Sequence, residues 1–327
     1  MDINSFIETI NTWGQQKTPF LFLIDFEMKK PVAIKLGEVD PNEILFDVNG
    51  FTNSVENEHQ NEKACFPLEF KKSPIDFTTY KKKFDQVVKR LNYGDSFLTN
   101  LTIATPVSSN YSLRELFYHC KAPYKLWFRD QFLVFSPEIF IQIKDQKIIS
   151  FPMKGTIDAS IPNAEKKILS DEKEMAEHIT IVDLLRNDLS LVSSGVEVSR
   201  FRYTDEIRTS HKTLLQVSSE ISGKLDDNYL AKLGDIIVVL LPAGSISGAP
   251  KEKTVEIIRE TEEEKRGYFT GVFGYFDGEK LDSGVMIRFI ENTRQGFVYR
   301  SGGGITAQSD QMLEYQEAID KVYVPVY

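Results

Sequence analysis

YKLWFRDQFLVFSPEIFIQIKDQKIISF, residues 124–151, decides the fold class. It holds four short runs rich in aromatic and β-branched residues, YKLWFR, QFLVFS, IFIQIK and KIISF, parted by brief polar breaks. Runs of that length and make-up read as strands. SFLTNLTIATPV (96–107) reads as another, and PFLFLIDF (19–26) and KPVAIKL (30–36) as two more around a short turn. Downstream, YFTGVFGYF (268–276), GVMIRFI (284–290) and GFVYR (296–300) extend the strand count. VNGFTNSVENEHQNEKA (48–64) is a polar loop.

Helices interrupt this pattern without regular βαβ alternation. DFTTYKKKFDQVVKRLNYGD (76–95) has apolar residues at helical spacing, Tyr80, Phe84, Val87, Val88 and Leu91, and Gly94 ends it. DEKEMAEHITIVDLLRNDL (171–189) opens with Asp171 and Glu174, the spacing of a capping box. KEKTVEIIRETEEEK and QMLEYQEAIDKVY are further helices. The class is therefore α+β rather than doubly wound. Residues 1–75 read as N-terminal strands and loop of the same domain, and 76–327 as its core.

The 327 residues are 41% hydrophobic and carry a formal net charge of −9, with no basic block. Nucleic acid and anionic membranes are poor partners for such a chain. No apolar run approaches the ~20 residues of a membrane span, and the acidic N-terminus lacks the regions of a signal peptide. Cys65 and Cys120 form no CxxC pair, and His59, His119, His178 and His211 lie far apart, which argues against zinc and disulfides. A reducing cytoplasm is the expected compartment, and any metal should be a hard cation on carboxylates.

Three segments carry charge where apolar residues dominate. In FPMKGT (151–156), Lys154 sits beside a glycine at a strand end, where its ordinary role would be to snorkel to the surface. The helix through ITIVDLL reads as apolar on most faces yet carries Glu177, Asp183, Arg186, Asn187 and Asp188. Buried charges must be paired or bind metal; Asp183 and Arg186 also fit a structural network. In the last helix Glu314, Glu317 and Lys321 share one face, as a solvent-facing pair would. Just before it, Ser301-Gly302-Gly303-Gly304 could turn its N–H groups on an anion, or be only a hairpin corner. AGSISGAPK (243–251) offers a second such turn but lacks a P-loop pattern. A small polyanionic substrate and a magnesium-class site fit these features, with Arg288 as a further cation.

Together GDSFLTNLT (94–102), SPEIF (136–140), FPMKGT, AEHITIVDLLRNDL (176–189), AGSISGAPK, GVFGYFDG (271–278) and SGGGITAQSDQMLEYQEAIDKV (301–322) resemble the chorismate-utilising enzyme family, in the family's order. The resemblance implies a single large domain of mixed or antiparallel sheets packed as a sandwich with surrounding helices. It covers the chain from about residue 76; the first 75 residues match loosely, and feedback inhibition by tryptophan is not expected. Lysine at position 154 is typical of the aminodeoxychorismate synthase branch, where anthranilate synthases usually carry alanine. The resemblance therefore implies amination of chorismate, with Lys154 as nucleophile and Glu138 as general acid. It implies magnesium on Glu177 and Glu317, with Glu314 bound through water or behind them. Tyr275, Arg288, Lys321 and the backbone of Gly303 and Gly304 match positions that hold substrate carboxylates. A lowered Lys154 pKa is expected, by burial or a nearby cation. Many relatives have a histidine near the leaving group where this chain has Leu215 or Gln216. Neither cysteine sits in a glutaminase-like turn, so a separate glutaminase subunit is the expected ammonia source. Anthranilate synthase component I, or a silent subunit of the same fold, are the competing readings.

Overall fold

The computed structural model describes residues 1–54, 67–208 and 213–326; Cys65, His59 and His211 lie outside them. The described strands form two nine-stranded sheets, paired antiparallel throughout. The first runs 153–158, 213–224, 147–150, 139–144, 281–285, 272–276, 20–24, 32–35, with 194–208 also on 213–224. The second runs 248–249, 98–109, 296–305, 289–293, 132–136, 124–128, 44–48, 51–52, with 70–72 also on 98–109.

Side-chain alternation shows how the sheets stack. In strand Phe20–Ile24, Leu21 and Leu23 pack with Phe46, Leu126 and Phe128 of the other sheet. Phe20, Phe22 and Ile24 point the other way, onto a cluster with Phe6, Ile10, Leu233 and Ile237 from helices. All five are buried, because this strand is covered on both faces. The second sheet's outer face is covered in turn by the helices Phe77–Tyr93, Lys251–Glu262 and Gln311–Asp320, through Phe84, Ile257 and Ala318. The result is a four-layer sandwich, helix–sheet–sheet–helix. Strands before residue 76 belong to both sheets.

The two sheets are joined by chain crossings, and these place the site. Residues 124–136 make a hairpin of the second sheet, then 139–150 make one of the first. Glu138 sits at that crossing. The chain passes back between hairpin 272–285 and hairpin 289–305, and Arg288 sits at this second crossing. The crossings are stitched together: Val285 donates to the Glu138 carbonyl at 3.0 Å, and Phe135 to the Arg288 carbonyl at 3.2 Å. Arg288 itself is held at φ 52, a conformation uncommon outside glycine.

Two expectations change here. Helix Glu172–Ser190 is not apolar on most faces: Ile179 is 48% exposed, and the Asp183–Arg186 pair lies on its outer side at 3.2 Å. The stretch Tyr229–Ser247 is long and apolar enough to cross a membrane, but it folds as separate short helices and is 56% buried within the molecule.

Candidate active site

A cavity of about 630 Å3 opens between the two crossings, lined among others by Glu138, Lys154, Glu177, Ser245, Arg288 and Lys321. Lys154 does not snorkel. It extends from strand Met153–Asp158 to Glu177, Nζ to Oε2 2.8 Å. The neighbouring Gly155 has φ 88, and a Cβ there would lie 2.7 Å from a Glu174 oxygen, so a side chain would displace that carboxylate. Burial alone would lower the Lys154 pKa, but Glu177, with Glu317 and Glu174 beyond it, reverses the sign. With no cation on those carboxylates the direction is the opposite of the expected lowering: they favour the ammonium form.

Glu138 faces the same cavity. Burial pushes its carboxyl up, against the hydroxyl of Ser245, which donates to it, and the positive charges of Arg288 and Lys321. Its strand is not the neighbour of Lys154's: strands 147–150 and 213–224 stand between them. Both still line one cavity.

The last helix brings Glu314, Glu317 and Lys321 together over Gly303. A Cβ on Gly303 would lie 3.4 to 3.6 Å from the ends of all three. Lys321 pairs with Glu317 at 2.6 Å and donates to the Gly302 carbonyl at 2.9 Å; the Glu317 side chain is 52% exposed, so the pair sits at the mouth of the cavity with the carboxylate partly open to solvent. Burial raises the Glu317 pKa less than Lys321 and Lys154 lower it; Glu314, with only Ser309 to donate, stays raised by burial. The glycines do not form a turn. Gly302–Gly304 continue the strand Gly296–Ile305, paired on one edge with Asn100–Thr102, while their other edge has no partner strand among the described residues. Gly302 is required by closeness, since a Cβ would sit 2.3 Å from the Leu101 carbonyl oxygen. In AGSISGAPK, Lys251 is bound to Asp188 at 2.9 Å and to the Leu240 carbonyl, and Ser245 serves Glu138.

Other expected residues stay away. Tyr275 does not line the cavity; it stacks on Phe51, ring centres 4.1 Å apart, inside the sandwich. Leu215 and Gln216 lie in strand Thr213–Lys224 beside Ile157 and Thr156, also off the cavity lining. Sequence reasoning passed over Glu174. One of its oxygens is buried without a partner, and burial raises its pKa against Lys154's pull. Its signal was the spacing: Glu174 and Glu177 repeat the three-residue step of Glu314 and Glu317 on another helix.

Among the described residues no three acidic, His or Cys side chains form a ready metal cage. The donor set nevertheless suits a hard cation. Two helices each present a carboxylate pair, one oxygen is orphaned, and few of the surrounding cations are free.

A model of the family described as chorismate binding enzyme matches residues 14–326. A relative from Haemophilus influenzae, named uncharacterized PabA-like protein, is 50% identical over 98% of this chain and 96% of its own. Aminodeoxychorismate synthase component 1 of Salmonella typhimurium is 34% identical over 74% of this chain, which spans only 56% of that protein. Among solved structures, anthranilate synthase component I from Streptococcus pneumoniae superposes with a TM-score of 0.64 at 29% identity, covering 79% of this chain and 59% of that one.

Proposed function

This chain belongs to the chorismate binding enzyme family, and we propose that it aminates chorismate at C4 as component I of an aminodeoxychorismate synthase. The observation that carries the reading is Lys154, an amine inside the cavity, with Glu138 lining the same space. Lys154 gives up a proton, for which Glu177 is the acceptor in contact, and attacks C2 of the ring. Both ring double bonds shift and the C4 hydroxyl leaves as water, protonated by Glu138, whose raised pKa suits an acid. Ammonia then adds at C4, the two double bonds shift back and the Lys154 amine is expelled; Glu138 takes the surplus ammonium proton. Lys321, Arg288 and the open edge at Gly303 and Gly304 hold the carboxylates of the substrate.

Glu177 and Glu317, with Glu314 and Glu174 behind them, would hold magnesium, which would bind the ring carboxylate and draw charge from C2. Those same carboxylates favour the protonated form of Lys154; a cation held on them would weaken that preference. The ammonia is assigned to a separate glutaminase subunit.

The test is covalent. Protein incubated with chorismate and magnesium but no ammonia should gain a substrate-derived mass on the peptide containing FPMKGT, and ammonium chloride should turn over chorismate to aminodeoxychorismate. Lys154→Ala should abolish both. Fluorescent anthranilate as the product, an adduct on another lysine, or full activity in Lys154→Ala would each sink the assignment.

A further inference from the structure

At the Arg288 crossing, two buried polar groups have no hydrogen-bond partner among the described residues, and the mechanism above uses only one of their residues. The last rung of the ladder between 289–293 and 296–305 pairs Phe289 with Arg300; Arg288 and Ser301 are the residues that follow on its two strands, and both line the cavity. Ser301 is 5% exposed, lines the cavity, and its hydroxyl has no hydrogen-bond partner. Arg288 Nε is likewise buried and unpaired. Strand periodicity puts Ser301 on the face of Gly303, the face turned to Glu314, Glu317 and Lys321. A buried hydroxyl left unmatched lowers stability, so its presence calls for a cause outside the folded chain. Alanine would fill the same place without that penalty.

We propose that Ser301 and Arg288 together receive a second substrate carboxylate, with Ser301 donating its hydroxyl proton, so that this part of the cavity selects a dicarboxylate over a monocarboxylate. Lys321 spends two of its three N–H donors on Glu317 and the Gly302 carbonyl, whereas the Arg288 Nε–H and the Ser301 O–H have no partner among the described residues. A carboxylate is acceptor-only and takes both. The proposal deepens the chorismate reading and rests on it for the identity of the natural ligand.

The experiment measures binding, not turnover. Calorimetric titration of the full chain would compare 3-(carboxymethoxy)benzoate, which carries a ring carboxylate and a second one on an ether arm, with benzoate. Wild type should prefer the diacid. Ser301→Ala should weaken the diacid about 10- to 100-fold, the scale of one hydrogen bond to a charge, and leave benzoate unchanged. Its thermal midpoint should stay level or rise, since the change deletes an unmatched polar group. Equal losses for both ligands, no loss, or a wild type without preference for the diacid would overturn the proposal. If Ser301→Ala does not fold, Ser301→Cys, a weaker donor of similar size, should show the same selective loss in smaller degree; no such loss overturns the proposal. Diacid binding without chorismate amination would sink the functional reading and leave Ser301's role standing. Amination with unchanged diacid affinity in Ser301→Ala would do the reverse.

Discussion

Two clusters of buried charge lie one strand apart, built from the same residue types and finished differently. In the first, Arg266 pairs with Glu262 at 2.6 and 2.8 Å, both side chains almost fully buried. Arg266 also donates to the carbonyls of Asn100 and Ile246, and Glu262 accepts from the backbone and hydroxyl of Thr102. The guanidinium thus ties the strand beside the glycines to the turn that carries Ser245. In the second cluster, around the cavity, a Glu174 oxygen, the Arg288 Nε and the Ser301 hydroxyl have no hydrogen-bond partners among the described residues. A matched network frames the fold; an unmatched one has donors and acceptors left for something that binds.

Replacing charges should therefore damage function in the cavity and stability in the frame. After the loss expected of Lys154→Ala, the largest effect is expected at Glu138. Glu138→Gln should bind chorismate nearly as wild type and lose roughly 10²–10⁴-fold in turnover, the scale of a positioned acid; near-normal turnover would remove its role. The same variant has a sign to check in stability. A carboxyl raised by burial binds its proton more readily folded than unfolded, so its contribution is present at acid pH and lost as pH rises through the folded value. Urea midpoints taken upward from about pH 4 should fall less in Glu138→Gln than in wild type.

The frame comes second. Arg266→Ala leaves Glu262 buried without its cation, a loss of about 3–5 kcal/mol for a broken buried pair. Denaturant titration would measure it, and a loss below about 1 kcal/mol, the range of an exposed pair, would erase the contrast between the clusters.

What the sequence disclosed of this contrast follows the range of each interaction. The strands of 124–151 were legible because alternation and turn residues are local. That 124–136 and 139–150 enter different sheets was not, since 281–285 and 213–224 are the partners that decide it. Lys154, Glu138 and Glu177 stood out as members of ordered motifs. Glu174 was hidden behind a plausible local role in capping its own helix. Asp171 does accept from its N–H at 2.9 Å, but the Glu174 carboxylate turns to Gly155 instead of closing the capping box. Gly302–Gly304 looked like a turn because glycine usually means φ freedom, whereas here the reason is close approach to a neighbouring strand.

The smallest effect is expected at Tyr275, where motif resemblance and geometry part. The motif gives it a substrate carboxylate. In the structure its strand, Val272–Phe276, pairs Tyr275 with Leu21 and directs the ring into the interior between the sheets, against Phe51. Period-two alternation then turns its neighbours Gly274 and Phe276 to the opposite face, with Phe276 in the helix-covered cluster. Tyr275 is not among the residues that line the cavity. Tyr275→Phe keeps the stacked ring and deletes only a hydroxyl whose ionisation burial already suppresses. Its turnover of chorismate with ammonium should match wild type within about 2-fold, less than the tenfold of 1.4 kcal/mol, with unchanged affinity for the diacid probe. A loss of tenfold or more in that affinity would mean that the ring swings out when substrate binds. The Phe51–Tyr275 contact would then be a resting position rather than part of the core.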